Sequence, residues 1–261
     1  MKLVTSRDGW KVCGSKVPVG VLWKVDLFKR NDFCGALIQR CFDKPLDDRK
    51  RAWQHHRTVS PGERIVRSDE VSEYVFFLCK GWGYRFIVLP NGRRQIFNFL
   101  LPGDLFSLTS ISEERFSFSV NELTEVQVLG FRRAEIKRRL ALSPSLRSKW
   151  TDSVAHQARA ADEMLVVLGQ RTAEERVGYL MLHLARRLSA LSLANMHRYR
   201  FPVKQAHIAD TLGITSECVC RMLSRFRKSG ILELSNGYLE VFDFVELERI
   251  GSPRNWDAER S

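Results

Sequence analysis

Ser216, Glu217, Cys220, Arg221, Ser224 and Arg225 recur at intervals of one, three, four and seven or eight residues, which on an α-helix brings them to one face. A face of that composition can read base edges in a major groove. The Glu217 carboxylate can accept from a cytosine amino group, and the Arg221 guanidinium can fork onto guanine. Reading needs a rigid platform, and the residues from Val203 to Arg227 describe one. Ala209, Gly213 and Val219 stand where a helix-turn-helix requires a small contact residue, a residue free to turn left-handed, and an apolar seal between two steeply crossed helices. Ile208, Leu212, Ile214 and Met222 fill the remaining inward positions. Thr215 is a good N-cap for the second helix, and Pro202 stands just ahead of the first.

Composition agrees with a polyanionic partner. The 261 residues carry a formal charge of +12, and Lys and Arg neutralising phosphates supply most non-specific DNA affinity. A chain of this length suffices for two modest domains. No run of about 18 apolar residues offers a membrane span. The N-terminus, with Lys2, Arg7, Asp8 and Lys11, lacks the apolar core of a signal peptide, so the expected location is the cytoplasm, with no membrane partner. The cysteines, Cys13, Cys34, Cys41, Cys79, Cys218 and Cys220, form no pairable framework and are expected to be thiols in a reducing compartment. Cys218 and Cys220 lie roughly 200° apart around a helix, which rules out a disulfide within it. Cys220, beside Arg221 and Arg225, is a candidate redox position: oxidation there would put polar bulk or negative charge on the reading face.

Residues 1–35 show no sustained period, and the apolar run Val17–Trp23 assigns no element by itself. From Thr58 to Phe131, short apolar segments are broken by glycines. Val75, Phe77 and Cys79 alternate with Tyr74, Phe76 and Leu78; Tyr84, Phe86 and Val88 follow Gly81 and Gly83; Asn91-Gly92 is a hairpin turn; Ile96–Leu101 stops at Pro102-Gly103-Asp104. This texture predicts a small antiparallel sandwich or β-roll. Beyond Pro144 the period becomes helical. Leu146, Trp150, Val154, Ala158, Ala161, Leu165 and Leu168 give one apolar stripe along a helix of roughly 24 residues. The stripe can bury against the roll, a twin helix, or both. A dimer is expected, with Trp150, Val154, Ala158, Ala161, Leu165 and Leu168 at its interface, because a helix-turn-helix usually reads two half-sites related by a two-fold axis. A further helix, Ala173–Leu191, leads into the helix-turn-helix. Ile231–Asp243 then holds two alternating strands around Asn236-Gly237, a hairpin wing.

A β-roll, a long connecting helix and a C-terminal winged helix-turn-helix, in that order, resemble the family of the cAMP receptor protein and the fumarate and nitrate reduction regulator. So do the segments Gly81-Trp-Gly-Tyr-Arg85, Leu89-Pro-Asn-Gly-Arg-Arg-Gln-Ile96 and Leu101-Pro-Gly-Asp104. The resemblance to this Crp/Fnr family, in a FixK-like or Fnr-like branch, covers about residues 35–250. Gly169-Gln-Arg-Thr-Ala-Glu-Glu-Arg176 looks like the family's hinge from dimer helix to DNA-binding domain. It implies an α+β fold: an N-terminal cyclic-nucleotide-binding-like β-roll, a long dimerisation helix and a C-terminal winged helix-turn-helix. The expected boundaries are an irregular extension at 1–35, the roll at 36–140, the dimer helix at 141–170, the DNA-binding domain at 171–250 and a tail at 251–261. The implied function is a homodimeric transcription regulator that binds an interrupted palindrome in double-stranded DNA and contacts RNA polymerase.

Residues separate the branches. Cyclic AMP binders of the family carry Gly-Glu-Leu after the Pro-Gly-Asp turn to hold the ribose, and an Arg-Ser pair further on to clamp the phosphate. This chain has Ser107-Leu108-Thr109 and Phe116-Ser117 there. Leucine cannot accept the ribose hydrogen bond and phenylalanine cannot pair with a phosphate, while Arg115 is one residue out of register. An iron-sulfur cluster needs four converging thiolates, but the chain offers Cys34 and Cys41 with six residues between them, an isolated Cys13, and Val126 and Gln127 where the family places its last ligand. No cofactor or metal is therefore expected, and Cys34, Cys41 and Cys79 read as small buried hydrophobes.

For DNA, the family's Glu-x-x-Ser-Arg becomes Glu217-Cys218-Val219-Cys220-Arg221, with Ser216 where the cAMP receptor protein has an arginine; this implies TTGA-type half-sites. Lys204 replaces the usual capping threonine of the first helix, trading a cap for a phosphate contact with Gln205 beside it. An unidentified small ligand, or oxidation of Cys220, is the alternative source of control. Two other classes fare worse. A cupin-like metalloenzyme needs histidines converging inside the roll. His55 and His56 are expected ahead of the strands and His156, His183, His197 and His207 in the helical half, so no enzyme is expected. A pure interaction protein with a degenerate helix-turn-helix would not need Glu217 and Arg221 in place.

Overall fold

The computed structural model describes residues 53–59, 64–106, 108–191, 194–195 and 197–252. The 1–35 extension with Cys13 and Cys34, together with Cys41, Ser107 and residues 253–261 of the tail, lies outside them.

Two antiparallel sheets make the predicted roll. One runs in the order β1 (Trp53–Val59), β7 (Val126–Arg132), β3 (Tyr74–Lys80). The other runs β2 (Arg64–Val66), β6 (Ser119–Glu122), β4 (Gly83–Val88), β5 (Arg94–Leu100). Phe76, Leu78, Leu100, Phe106, Phe118 and Val120 belong to the core cluster that the two sheets share. Val75, Phe77 and Cys79 of β3 belong instead to a second cluster with Ile136, Leu140 and Leu146, so the alternation of this strand separates two cores, not core from solvent. The Asn91-Gly92 turn closes β4 onto β5: Leu89 N–H reaches Arg93 O at 2.8 Å and Gly92 N–H reaches Leu89 O at 2.9 Å. β1 contains His55 and His56, correcting the expectation that the histidines precede the strands. Among the described residues no group of three His, Cys, Asp or Glu side chains is placed to hold a metal ion.

Three helices follow: α1 (Arg133–Leu142), which no periodicity announced, then α2 (Pro144–Gln170) and α3 (Ala173–Ala190). The Ser143 hydroxyl accepts from Leu146 N–H at 3.3 Å with Pro144 in the first turn, so α2 starts where the sequence says. The helix is 27 residues long. Between α2 and α3 Arg171 is extended, and a reciprocal Thr172–Glu175 capping box restarts the helix, which makes the hinge motif a real break. Along the apolar stripe, Leu146 is buried and Trp150 packs on the roll's second cluster. Val154, Ala158, Ala161 and Leu165 stand exposed, and Leu168 is half-buried. Trp150, expected at a dimer seam, is thus drawn onto its own roll because the helix crosses that cluster there.

The C-terminal part holds β8 (Ala194–Asn195), β9 (Arg198–Arg200), α4 (Gln205–Leu212), α5 (Ser216–Lys228), β10 (Leu232–Ser235), β11 (Tyr238–Val241) and α6 (Phe244–Gly251). The hairpin wing is real, with Asn236 and Gly237 at φ +51° and +76°. It is part of a larger sheet ordered β10-β11-β9-β8, a pairing the hairpin pattern did not reveal. α3 and α6 touch backbone to backbone: a Cβ on Gly251 would lie 2.7 Å from the Gly178 carbonyl oxygen, so that position needs glycine, while a Cβ on Gly178 would press on Ile250 Cγ2 at 2.8 Å. One buried cluster runs from Tyr84, Phe86, Ile96 and Phe99 on β4–β5, through α3, to Ile208, Leu212, Val219 and Leu239. The roll and the helix-turn-helix therefore share a core.

Candidate nucleic-acid interface

The turn between α4 and α5 is built as its residues dictate. Gly213 sits at φ +65°, in the left-handed region, and its N–H returns to the Ala209 carbonyl, ending α4. Thr215 is the N-cap of α5, its hydroxyl accepting from Cys218 N–H at 3.2 Å. Val219, Leu223 and Phe226 are buried beneath α5, each contributing about 1.5–3 kcal/mol to holding the helix down. Ala209 is 6% exposed and faces this joint, where a larger side chain would force the helices apart.

On the other side of α5, Glu217, Cys220, Arg221, Ser224 and Arg225 are all exposed and Ser216 is half-exposed. The structure therefore brings all six expected residues to one open face. The Glu217 backbone N–H and the Thr215 hydroxyl hold the Glu217 carboxyl below the usual carboxylate range, with the charge of Arg221 adding to the effect. Glu217 is thus an ionised acceptor, oriented by the helix start, one turn before the exposed Arg221. Arg225 differs from expectation in pairing with Glu174 of α3 at 3.1 Å. A pair this exposed contributes under about 1 kcal/mol, so a phosphate competes with it readily.

Lys204 and Gln205 are exposed at the start of α4. The Lys204 ammonium makes no cap, as its chemistry requires. His207 supplies part of one instead, its Nδ1 accepting from Lys204 N–H at 3.2 Å. Burial against the roll, then the charge of Arg94, pushes the His207 imidazole down to about 4, which keeps Nδ1 an acceptor. This bond went unread in the sequence because histidine is not a usual capping partner.

In the roll, Phe116 is 2% exposed and its ring lies 6.2 Å from Phe76 and 5.5 Å from Phe118. Leu108 is buried in the second cluster. Arg115 is exposed and donates to the Asp69 carbonyl at 3.0 Å, so the slip in register that would aim it inward does not occur. Cys79 is buried, and burial pushes its thiol up to about 12, as suits a small core hydrophobe. Cys218 is half-buried while Cys220 is open.

Sequence reasoning missed the residues that tie this interface to the roll. Asp210 of α4 accepts from Arg94 Nε at 2.8 Å, and Gln95 Nε2 donates to the Thr211 carbonyl at 3.0 Å. Arg176 Nη1 reaches the Leu212 carbonyl at 3.3 Å. Arg187 of α3 pairs with Asp104 of the Pro-Gly-Asp turn and donates to the Phe99 carbonyl at 2.9 Å.

Residues 56–142 match the cyclic nucleotide-binding domain model and residues 175–250 the Crp-like helix-turn-helix domain. The nitrogen fixation regulation protein FixK of Azorhizobium caulinodans is 34% identical over 190 residues, which cover 72% of this chain and 75% of that protein. The transcriptional activatory protein AadR of Rhodopseudomonas palustris is 29% identical over 209 residues, covering 80% and 82%. Among solved structures, FixK2 from Bradyrhizobium japonicum is similar with a TM-score of 0.69 at 28% identity, over 76% of this chain and 98% of that one. The roll, the long helix and the helix-turn-helix thus agree with the matched domains and the solved structure, and the chain belongs to the Crp/Fnr family of DNA-binding transcription regulators.

Proposed function

We propose that the protein acts as a cytoplasmic homodimer that reads an interrupted palindrome of TTGA-type half-sites through Glu217 and Arg221 and activates transcription by contact with RNA polymerase. The observation that carries the reading is the exposed, ionised Glu217 at the start of α5 with Arg221 one turn on. Ser216, Cys220, Ser224 and Arg225 complete the face, and Lys204 and Gln205 bind flanking phosphates. Activation is drawn from relatives such as AadR, a transcriptional activatory protein by name. The exposed Val154, Ala158, Ala161 and Leu165 on α2 support a helix seam between two copies. The working boundaries are an extension at 1–35, a sensor-like roll at 36–140, a dimer helix at 141–170, the DNA-binding domain at 171–250 and a tail at 251–261.

Neither cyclic AMP nor an iron-sulfur cluster enters this reading. Phe116 occupies core space where a phosphate clamp would stand. Exposure of Cys220 between Glu217 and Arg221 favours a second mode of control, in which oxidation of this thiol blocks reading.

Gel shifts on a TTGA palindrome test the reading. Arg221→Ala relaxes discrimination at the half-site guanine by about 1–3 kcal/mol, whereas Lys204→Ala lowers affinity evenly for all sequences and flattens the salt dependence. An Arg221→Ala protein that loses specific and non-specific affinity equally would reduce Arg221 to a phosphate contact.

A further inference from the structure

We propose that Arg94 and Gln95, on the roll, are positioning residues for DNA recognition: they clamp α4 so that α5 meets DNA in one preset orientation. The proposal rests on the reading role of α5 given above. The last carbonyls of an α-helix have no partner within it, and in most surface helices water or a cap takes them. At the end of α4 two of them go elsewhere. Thr211 O accepts from Gln95 of β5, and Leu212 O accepts from Arg176 of α3. On the residue just before Thr211, both Arg94 Nε and Nη2 bond Asp210 Oδ2, at 2.8 and 2.6 Å. The remaining Arg94 nitrogen, Nη1, donates to the Tyr84 hydroxyl at 2.9 Å. The Tyr84 ring in turn lies 5.2 Å from that of His207. His207, Asp210 and Thr211, at i, i+3 and i+4, therefore lie on the side of α4 that meets the roll.

Two further observations make this a positioning device. The clamp uses α4 and leaves every reading residue of α5 exposed or half-exposed, so docking does not occlude the DNA face. Beside the clamp the two parts separate into an open cleft of about 690 Å³, lined by Arg64, Arg93, Asn121, Gly213 and Ile214. The shared core holds the helix-turn-helix against the roll, and at this open edge the polar contacts of Arg94 and Gln95 add the directional constraint on its angle. A head that is free to rock must be immobilised on binding, and two heads on a palindrome lose their preset separation.

The test is DNA binding by the full chain on a matched palindrome, on the same palindrome with its spacer lengthened by one base pair, and on random duplex. Arg94→Ala is expected to lower affinity for the matched site about tenfold and to shrink the penalty for the longer spacer. Combining Arg94→Asp with Asp210→Arg is expected to restore both. A spacer penalty and affinity within about twofold of wild type would overturn the proposal, as would tighter binding, which would mean that docking inhibits. Should Arg94→Ala fail to fold by thermal melting, Gln95→Met leaves the Arg94–Asp210 pair in place, removes the bond to Thr211 together with the local one to the Ile96 carbonyl, and carries the same expectations. If wild type itself prefers no palindrome, the reading of α5 fails, and the clamp is judged by amide hydrogen exchange: faster exchange across 205–212 in Arg94→Ala supports it, and unchanged exchange overturns it.

Discussion

Leu165 is 69% exposed on α2, in line with Val154, Ala158 and Ala161, and a soluble helix that leaves such a residue open offers it to a second surface. Fully burying a leucine contributes about 1.5–3 kcal/mol, so covering the fraction that one chain leaves open contributes roughly 1–2 kcal/mol. A two-fold seam uses the residue twice. Leu165→Ala should therefore weaken the dimer by about 2–4 kcal/mol, a rise of roughly 30- to 1000-fold in dissociation constant. Leu165→Glu should go further, because it places an unpaired carboxylate at the seam, at a cost of several kcal/mol. Since Leu165 makes little contact within its own chain, the helical circular dichroism should hold. Sedimentation velocity across a concentration series then reads the effect directly: wild type as a dimer, Leu165→Glu as a folded monomer. A Leu165→Glu protein that sediments as the same dimer as wild type would refute the seam.

Millimolar cyclic AMP should change neither DNA affinity nor melting temperature, because Phe116 and Leu108 are packed into the roll; a saturable shift in calorimetry would contradict this. Peroxide should abolish the gel shift of wild type and spare Cys220→Ser, while equal loss in both removes Cys220 as the switch. Burial, and then the charge of Arg187, pushes the His183 imidazole down to about 4 from an ordinary 6.5. The folded state thus binds fewer protons than the unfolded state between these values, so stability is full above about pH 6.5 and falls as the pH drops toward 4. His183→Gln should flatten that fall by about 2 kcal/mol at pH 5, read from urea midpoints at pH 7 and 5; an unchanged pH dependence would show that His183 gains its proton in the fold as readily as in the unfolded chain.

What the sequence alone determined is what short stretches of backbone can decide. Gly213 adopts its left-handed turn, Thr215 caps α5, Asn236-Gly237 folds the wing, and a period near 3.6 brings Glu217 and Arg221 to one face. Each of these needs only a few consecutive residues to agree, so the reading face was legible without any fold. Tertiary structure decided the rest. Trp150 looked like a seam residue until α2 crossed the roll's second cluster. Arg225 looked free until α3 brought Glu174 beside it. Arg94 and Asp210 are 116 residues apart, and no periodicity links a hairpin arginine to a carboxylate on a helix in another domain. Such pairs form only when two separately built surfaces meet, because hydrophobic periodicity records which face of an element is buried and carries nothing about which distant element covers it.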